Sequence, residues 1–181
     1  ILAEMPSVLG GLHNGTKRIS RIIKSLKTFA HRHGTDAAAP SLNDCVEEAL
    51  ILTESALKNS VTVHTHLMPD LTKLYVCASQ IQQVLINLFI NASHAMEEQQ
   101  SAMLSVTTSE RKGLVVLVVE NNRPGIPTAN LEQIWEPFFS TKVAGKGTGL
   151  GLSLSLSIVH DNGGVMTVAN GCIEEQNPGA V

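Results

Sequence analysis

The chain has 181 residues, a mass of 19.3 kDa and a formal charge of −3. Hydrophobic residues make up 43% of it, which excludes a disordered chain. The near balance of 13 basic and 16 acidic residues argues against a nucleic-acid-binding protein. No apolar run approaches the roughly 18 residues of a membrane span. We therefore expect a cytoplasmic protein, with any membrane attachment confined to segments upstream of this sequence.

Cysteine and glycine usage adds two further constraints. The three cysteines form no CxxC pair, so we expect free thiols in a reducing compartment. Nine of the 14 glycines follow Pro124. Glycine gives the backbone conformational freedom that side chains would block, so the second half of the chain needs such freedom at several points.

Residues 5–33 are predicted to form one long helix. Its apolar residues recur at intervals of three, four and seven, while lysines and arginines lie off that stripe. Such a helix needs a partner, either in a hairpin or from another chain; alternatively, it lies on the core of its own domain. Residues 35–40 resemble a linker, so we expect one unit over 1–34 and a second over 41–181. The stripe consists of Leu12, Ile19, Ile22, Leu26 and Phe29.

The second unit is predicted to alternate helices and strands. This order predicts an α+β fold: a two-layer α/β sandwich with helices on one face of a mixed sheet. The predicted helices cover 43–58, 78–97, 130–134 and 150–160, and the predicted strands cover 61–66, 73–76, 103–108, 114–120 and 165–168.

Two asparagines stand out on the predicted helix over 78–97. Asn87 and Asn91 are four residues apart and therefore share a helix face, although asparagine is a poor helix former. Either both amides cap neighbouring backbone, or they face a polar ligand. An amide oxygen is a reasonable ligand for Mg²⁺ that also binds phosphate oxygens.

A glycine-rich segment precedes the last predicted helix. Residues 145–151 carry four alternating glycines and run directly into an apolar helix, where backbone N–H groups and the helix dipole favour an anion. Lys142 and Lys146 add positive charge. The spacing is neither a P-loop nor a Rossmann fingerprint. The alternative is a flexible linker.

Two shorter segments complete the set. Residues 120–127 close the predicted central strand with a Pro-Gly turn where a flat ligand could approach the backbone. Residues 135–142 gather three of the six aromatic side chains just before the glycines. These aromatics either anchor a loop in the core or act as a latch for a mobile lid, and the two roles are compatible.

In this order, the four segments resemble the ATP-binding domain of sensor histidine kinases, within the gyrase, Hsp90, histidine kinase and MutL superfamily. Residues 87–92 resemble its N box, 121–126 its G1 box, 135–142 its F box and 147–153 its G2 box. The amino-acid sequences of these segments are most similar to those of nitrogen-regulation-type kinases. The resemblance implies the Bergerat-type fold, and it identifies residues 5–33 with the second helix of the dimerisation and histidine-phosphotransfer hairpin.

The resemblance also implies the site residues. Asn91 would coordinate Mg²⁺ bridging the ATP phosphates, with Asn87 beside it and His94 as a phosphate contact. Asn121 would accept a hydrogen bond from the adenine amino group, and Gly125 would let the backbone approach the base. The residues implied to position the lid or to contact the nucleotide are Phe138, Phe139, Lys142, Lys146, Gly147, Thr148, Gly149, Leu150 and Gly151.

The resemblance further favours phosphoryl transfer over hydrolysis. Hydrolysing members of the superfamily have a glutamate base four residues before the Mg²⁺ ligand, whereas this chain has Asn87, whose amide cannot take a proton. The implied activity is transfer of the γ-phosphoryl group to a histidine on a homodimeric hairpin, followed by relay to a response-regulator aspartate. None of the seven histidines has the context of a phosphoacceptor, which is expected upstream of Ile1, and a further strand is expected after 177–181.

The G1 box departs from the family pattern at two positions. Asn121 replaces the usual aspartate and Arg123 replaces a glycine. Losing a charged hydrogen bond costs about 1.5–3 kcal/mol, or roughly ten- to a hundredfold in affinity, so we expect weakened ATP binding. The alternative is a degenerate module, weakly or not at all ATP-binding, that acts in dimerisation or partner regulation.

Overall fold

The computed structural model describes residues 41–57, 61–97, 100–123, 125–142 and 147–171. The predicted helix over 5–33, the linker and Lys146 lie outside these residues. Two short 3-10 turns, Thr128–Asn130 and Gln133–Trp135, replace the predicted helix over 130–134. The described elements are α1 (Leu42–Leu57), β1 (Val61–Leu67), α2 (Ala78–Ala95), β2 (Ala102–Arg111), β3 (Leu114–Asn121) and α3 (Gly151–Asp161).

The three strands form one mixed sheet in the order β1-β2-β3. β1 runs parallel to β2, with Val63 opposite Leu104, and β2 runs antiparallel to β3, with Val106 opposite Val119. The β2–β3 hairpin turns at Lys112 and Gly113, which have φ values of +51° and +77°. A two-residue turn with both φ values positive matches the right-handed twist of the strands it joins.

The helices cover one face of this sheet, as the sequence predicts. Every second residue of β2 from Ala102 to Thr108 is buried, while Met103 on the other face is 41% exposed. The buried side chains of β2 join Val46 from α1 and Phe89 from α2 in one core. The period of two in β2 and of 3.6 in α2 therefore explains the α+β sandwich.

Helix α3 packs beside α2 and runs in the opposite direction. Gly151 at its start accepts a hydrogen bond from Asn87, and Asn162 just past its end donates one to Gln80. The N-terminus of α3 consequently lies beside the C-terminal half of α2. The two asparagines of α2 and the glycine-rich segment are brought together by this antiparallel packing.

Two predicted strands are wrong. Residues 73–76 and 165–168 have no regular secondary structure and lie outside the three-stranded sheet. Tyr75 is 94% exposed and Val165 is 67% exposed, so neither segment buries a full strand face. Alternating apolar residues indicate an extended, half-exposed chain, but a strand also needs a neighbour that supplies ladder hydrogen bonds.

Candidate functional site

Asn87 joins α2 to the beginning of α3. Its side-chain amide donates to the carbonyl of Gly151 and to the hydroxyl of Ser155, both at 3.3 Å. Its amide oxygen accepts a hydrogen bond from Gln83 at 3.2 Å. Ser155 is fully buried, which makes this a structural contact between helices. The sequence pattern did not single out Ser155, because a serine within an apolar helix carries no distinctive signal.

Asn91 occupies a different environment, one turn further along α2. Its amide oxygen accepts a hydrogen bond from the Lys142 ammonium at 3.2 Å. The same ammonium lies 2.9 Å from the Nδ1 atom of His94, whose other ring nitrogen is 3.9 Å from the Glu97 carboxylate. Lys142 therefore bridges two of the predicted site residues.

Burial lowers the pKa of Lys142 from its ordinary value, because desolvation disfavours the charged ammonium. The nearby carboxylate of Glu97 opposes this shift by favouring the charge. A partly desolvated cation gains more from an anionic ligand than an exposed lysine does, because the surrounding dielectric is lower.

The F box and the G2 box are joined by a backbone contact. The N–H of Phe138 donates to the carbonyl of Gly149 at 2.8 Å. Gly149 has a φ of +67°, and a Cβ at that position would lie 2.6 Å from the Cα of Phe138. Phe138 itself has a φ of +71° and is 68% exposed, whereas Phe139 is half-buried. We call this contact between Phe138 and Gly149 the clasp.

The remaining residues of the G2 box flank Gly149 of the clasp on both sides. A Cβ at Gly147 would lie 2.8 Å from the hydroxyl of Ser140, so this position needs glycine unless Ser140 moves. The Thr148 hydroxyl accepts a weak hydrogen bond, 3.4 Å long, from the N–H of Leu150. At Gly151 a Cβ would be 3.7 Å from the Asn91 amide nitrogen, an ordinary van der Waals distance.

The turn of the G1 box is held by a residue that the sequence analysis missed. The Asn170 amide oxygen accepts from the N–H of Ile126 at 2.7 Å, and its amide nitrogen donates to the carbonyl of Ile126 at 2.6 Å. A Cβ at Gly125 would lie 3.0 Å from the Cβ of Asn170. Gly125 therefore makes room for Asn170. An asparagine 45 residues along the chain gives no sequence signal for such a contact.

The two departures in the G1 box have defined contacts. The Asn121 amide oxygen accepts from the N–H of Arg123 at 3.2 Å. The Arg123 guanidinium donates through Nε to the carbonyl of Ala95, the last residue of α2. A cation there satisfies a terminal carbonyl and complements the helix dipole. The arginine side chain is thus directed toward α2, which also carries Asn91 and His94.

Comparison with known proteins identifies the family. Residues 77–180 match the family described as histidine kinase-, DNA gyrase B- and HSP90-like ATPase. The chain belongs to this ATPase family. The matched region includes Asn91, Lys142 and the clasp, so the contacts described above lie within the family's domain.

Within this family, the chain is similar to sensor proteins. The chain is 35% identical over 168 residues to a putative sensor protein of Shewanella frigidimarina, covering 92% of this chain and 25% of that protein. It is also 35% identical over 158 residues to the C4-dicarboxylate transport sensor protein DctB of Rhizobium meliloti, covering 86% and 25%. The chain thus spans about a quarter of the length of these curated relatives.

Solved structures support the same assignment. The catalytic domain of histidine kinase ThkA is 31% identical with a TM-score of 0.58, covering 66% of this chain and 78% of that one. ThkA in complex with response regulator protein TrrA aligns with a TM-score of 0.65 at 23% identity, covering 91% and 46%, which shows the shared fold. The α+β fold and the histidine kinase resemblance are confirmed. Among the described helices, none is long and apolar enough to cross a membrane.

Proposed function

We propose that this chain binds ATP with Mg²⁺ between α2 and the N-terminus of α3, and serves as the catalytic region of a sensor histidine kinase. The observation that carries the proposal is the contact of the Lys142 ammonium with the amide oxygen of Asn91, 3.2 Å long. It places a cation on the oxygen that the family resemblance implies as the metal ligand. On this basis we propose that the residues which the family resemblance implies for the nucleotide site form the site in this chain.

The residues present fit a divalent cation. The Lys142 ammonium is a stand-in ion, since it shows that the Asn91 oxygen accepts positive charge in this environment. A single amide oxygen suits Mg²⁺, which usually takes few protein ligands and shares phosphate oxygens. When bound, Mg²⁺ would neutralise negative charge on the phosphates.

The surroundings of Asn91 also fit the phosphates. Helix α3 begins at Gly151, and the residue at its N-cap position, Leu150, has an apolar side chain that cannot cap the first N–H groups of the helix. The N–H groups and the dipole of a helix N-terminus favour an anion. Lys142 and His94 contribute further donors next to Asn91, and the clasp fixes the position of Gly149, two residues before α3.

Hydrolysis of ATP is disfavoured by the contacts of Asn87. Its amide nitrogen donates hydrogen bonds to the Gly151 carbonyl and the Ser155 hydroxyl, and its amide oxygen accepts one from the Gln83 side chain. A neutral amide engaged in this way cannot act as the base that activates water. We propose instead that the bond between the β,γ-bridging oxygen and the γ-phosphorus of ATP breaks as an unprotonated ring nitrogen of a hairpin histidine forms a bond to that phosphorus, with ADP as the leaving group.

The partners follow from the same proposal. Residues 5–33 would supply the second helix of the dimerisation hairpin, so the protein would act as a homodimer in the cytoplasm. ThkA has been solved with the response regulator protein TrrA, which supports a response regulator as the next acceptor. Any membrane attachment would come from other segments of the full protein.

Phosphotransfer is the direct test. The chain is incubated with radiolabelled ATP, Mg²⁺ and the complete hairpin, and acid-labile phosphohistidine is measured. We expect label on the hairpin with the unsubstituted chain and at least a tenfold loss with Asn91→Ala. Folded protein that binds no ATP and transfers no label would instead favour the degenerate module, for which the engagement of Asn121 with Arg123 is the supporting observation.

A further inference from the structure

Helix α1 presents a partly apolar surface away from the nucleotide site. Ile51 and Leu52 are 71% and 65% exposed, although both are large aliphatic side chains. Ile51 also lines a shallow groove between α1 and β1. We call it the α1–β1 groove; its lining residues are Leu50, Ile51, Glu54, Leu57, Val61 and Val63. Exposed apolar side chains that line a groove are typical of an interaction surface.

The same helix is strongly acidic. Between Leu42 and Leu57 it carries four carboxylates and neither lysine nor arginine. Asp44, Glu47, Ile51 and Glu54 are spaced by three and four residues, so they share one face. The surface therefore suits a basic partner that can also cover apolar area.

The N-terminal part of this chain has the complementary composition. Residues 12–33 contain six lysines and arginines and no acidic residue, whereas residues 41–181 contain seven basic and 14 acidic residues. Lys17, Arg21 and Lys24 are spaced by four and three, which places them on one face of the predicted helix, opposite its apolar stripe. The aliphatic stems of such side chains cover apolar surface while their charges reach carboxylates.

We propose that the α1–β1 groove is the docking surface for the basic face of residues 17–27 of the same chain. The apolar stripe of that segment stays available for a helical partner, so this proposal does not depend on the proposed kinase function. The proposed docking would give a binding role to the exposed Ile51 and to the acidic face of α1, both of which lie outside the proposed nucleotide site.

The connecting segment is long enough for docking within one chain. Eleven residues separate Phe29 from Ser41 and span up to about 36 Å when extended. Leu50 lies eight residues after Leu42, or about 12 Å along α1. Residues 17–27 can therefore reach the groove without contribution from a second copy.

Photo-crosslinking in the full chain tests this assignment. A p-benzoylphenylalanine replaces Ile51, and cross-linked peptides are mapped by mass spectrometry in a mixture of light and heavy isotope-labelled chains. The matched control carries the same group in place of Tyr75, which is 94% exposed. We expect cross-links from position 51 to residues 12–29 within one isotope label, and few or none from position 75.

A charge reversal makes the test specific. Glu47→Lys with Glu54→Lys is expected to lower the cross-link yield from position 51 about three- to fivefold, the size expected for two exposed ion pairs. Adding Lys17→Glu with Lys24→Glu should restore it. Equal yields at positions 51 and 75, mixed light–heavy cross-links as frequent as random pairing of two chains gives, or no effect of the reversal would each overturn the proposal. Circular dichroism of every variant confirms that the protein is folded.

Discussion

Replacing Gly149 by alanine should break the clasp that joins the F box to the G2 box. Gly149 has a φ of +67°, a conformation that costs an L-residue about 1–2 kcal/mol. The added Cβ would also lie 2.6 Å from the Cα of Phe138, where backbone must shift. Loss of the Phe138–Gly149 hydrogen bond adds about 0.5–1.5 kcal/mol. Together these two terms give an expected destabilisation of about 1.5–3.5 kcal/mol.

Gly113→Ala provides the matched control. Gly113 has a φ of +77°, but nothing lies within 4 Å of a Cβ built there. It therefore carries the conformational cost without the collision. We expect Gly149→Ala to be at least about 0.5 kcal/mol more destabilising than Gly113→Ala, because only Gly149 also loses the clasp hydrogen bond.

The assay is urea denaturation followed by the fluorescence of Trp135, the one tryptophan of the chain, together with hydrogen exchange. The hydrogen-exchange rate of the Phe138 amide should rise in Gly149→Ala and should stay the same as in the unsubstituted chain in Gly113→Ala. If the two substitutions cost the same and Phe138 remains protected in both, then the clasp does not constrain the glycine-rich segment.

Three other predictions concern the nucleotide turn and the core. Asn121→Asp should tighten ATP·Mg²⁺ binding roughly ten- to a hundredfold, because a charged acceptor strengthens the hydrogen bond to adenine; equal affinities in a calorimetric titration would contradict this. Asn170→Ala should speed hydrogen exchange at Ile126, since both bonds of its amide are lost; unchanged exchange would contradict the contact. Burial, aided by Glu48 and Asp44, raises the pKa of Cys45 from its ordinary 9.0, so iodoacetamide should modify Cys45 more slowly than Cys77. Because the unfolded thiol ionises first, unfolding free energy should fall as pH rises above 9.0, and Cys45→Ala should remove that part of the slope.

Periodicity predicted the elements whose neighbours are close in sequence. The helix predicted over 78–97 is observed as Ala78–Ala95, and the strands predicted over 103–108 and 114–120 pair as a hairpin. The helix α2 and the strand β2 each bury one face, and burial of one face is what a period of 3.6 or two reports. Strands over 73–76 and 165–168 were wrongly predicted, because alternation does not reveal whether a neighbouring strand is present.

The candidate site shows a second limit of sequence reasoning. Asn87 and Asn91 look equivalent in the sequence, yet Asn87 joins two helices while Asn91 holds the Lys142 ammonium. Similarly, the sequence shows Arg123 only as a replacement for a glycine of the family pattern, whereas in the structure its guanidinium reaches the carbonyl of Ala95. These differences come from the antiparallel packing of α3 on α2 and from the position of the G1 turn. The spacing of residues along the sequence gives no information on either of these tertiary arrangements.

The central claim is that Asn91 provides the metal ligand for a bound nucleotide. Isothermal titration calorimetry with ATP, in excess Mg²⁺ and again in EDTA, tests it on this chain, on Asn91→Ala and on the control His64→Ala, which alters an exposed residue of β1. We predict that Mg²⁺ raises the affinity for ATP in the unsubstituted chain and in His64→Ala. In Asn91→Ala, the factor by which Mg²⁺ raises the affinity should be at least about tenfold smaller. An equal gain in all three proteins, or no ATP binding by the folded chain, would contradict the claim.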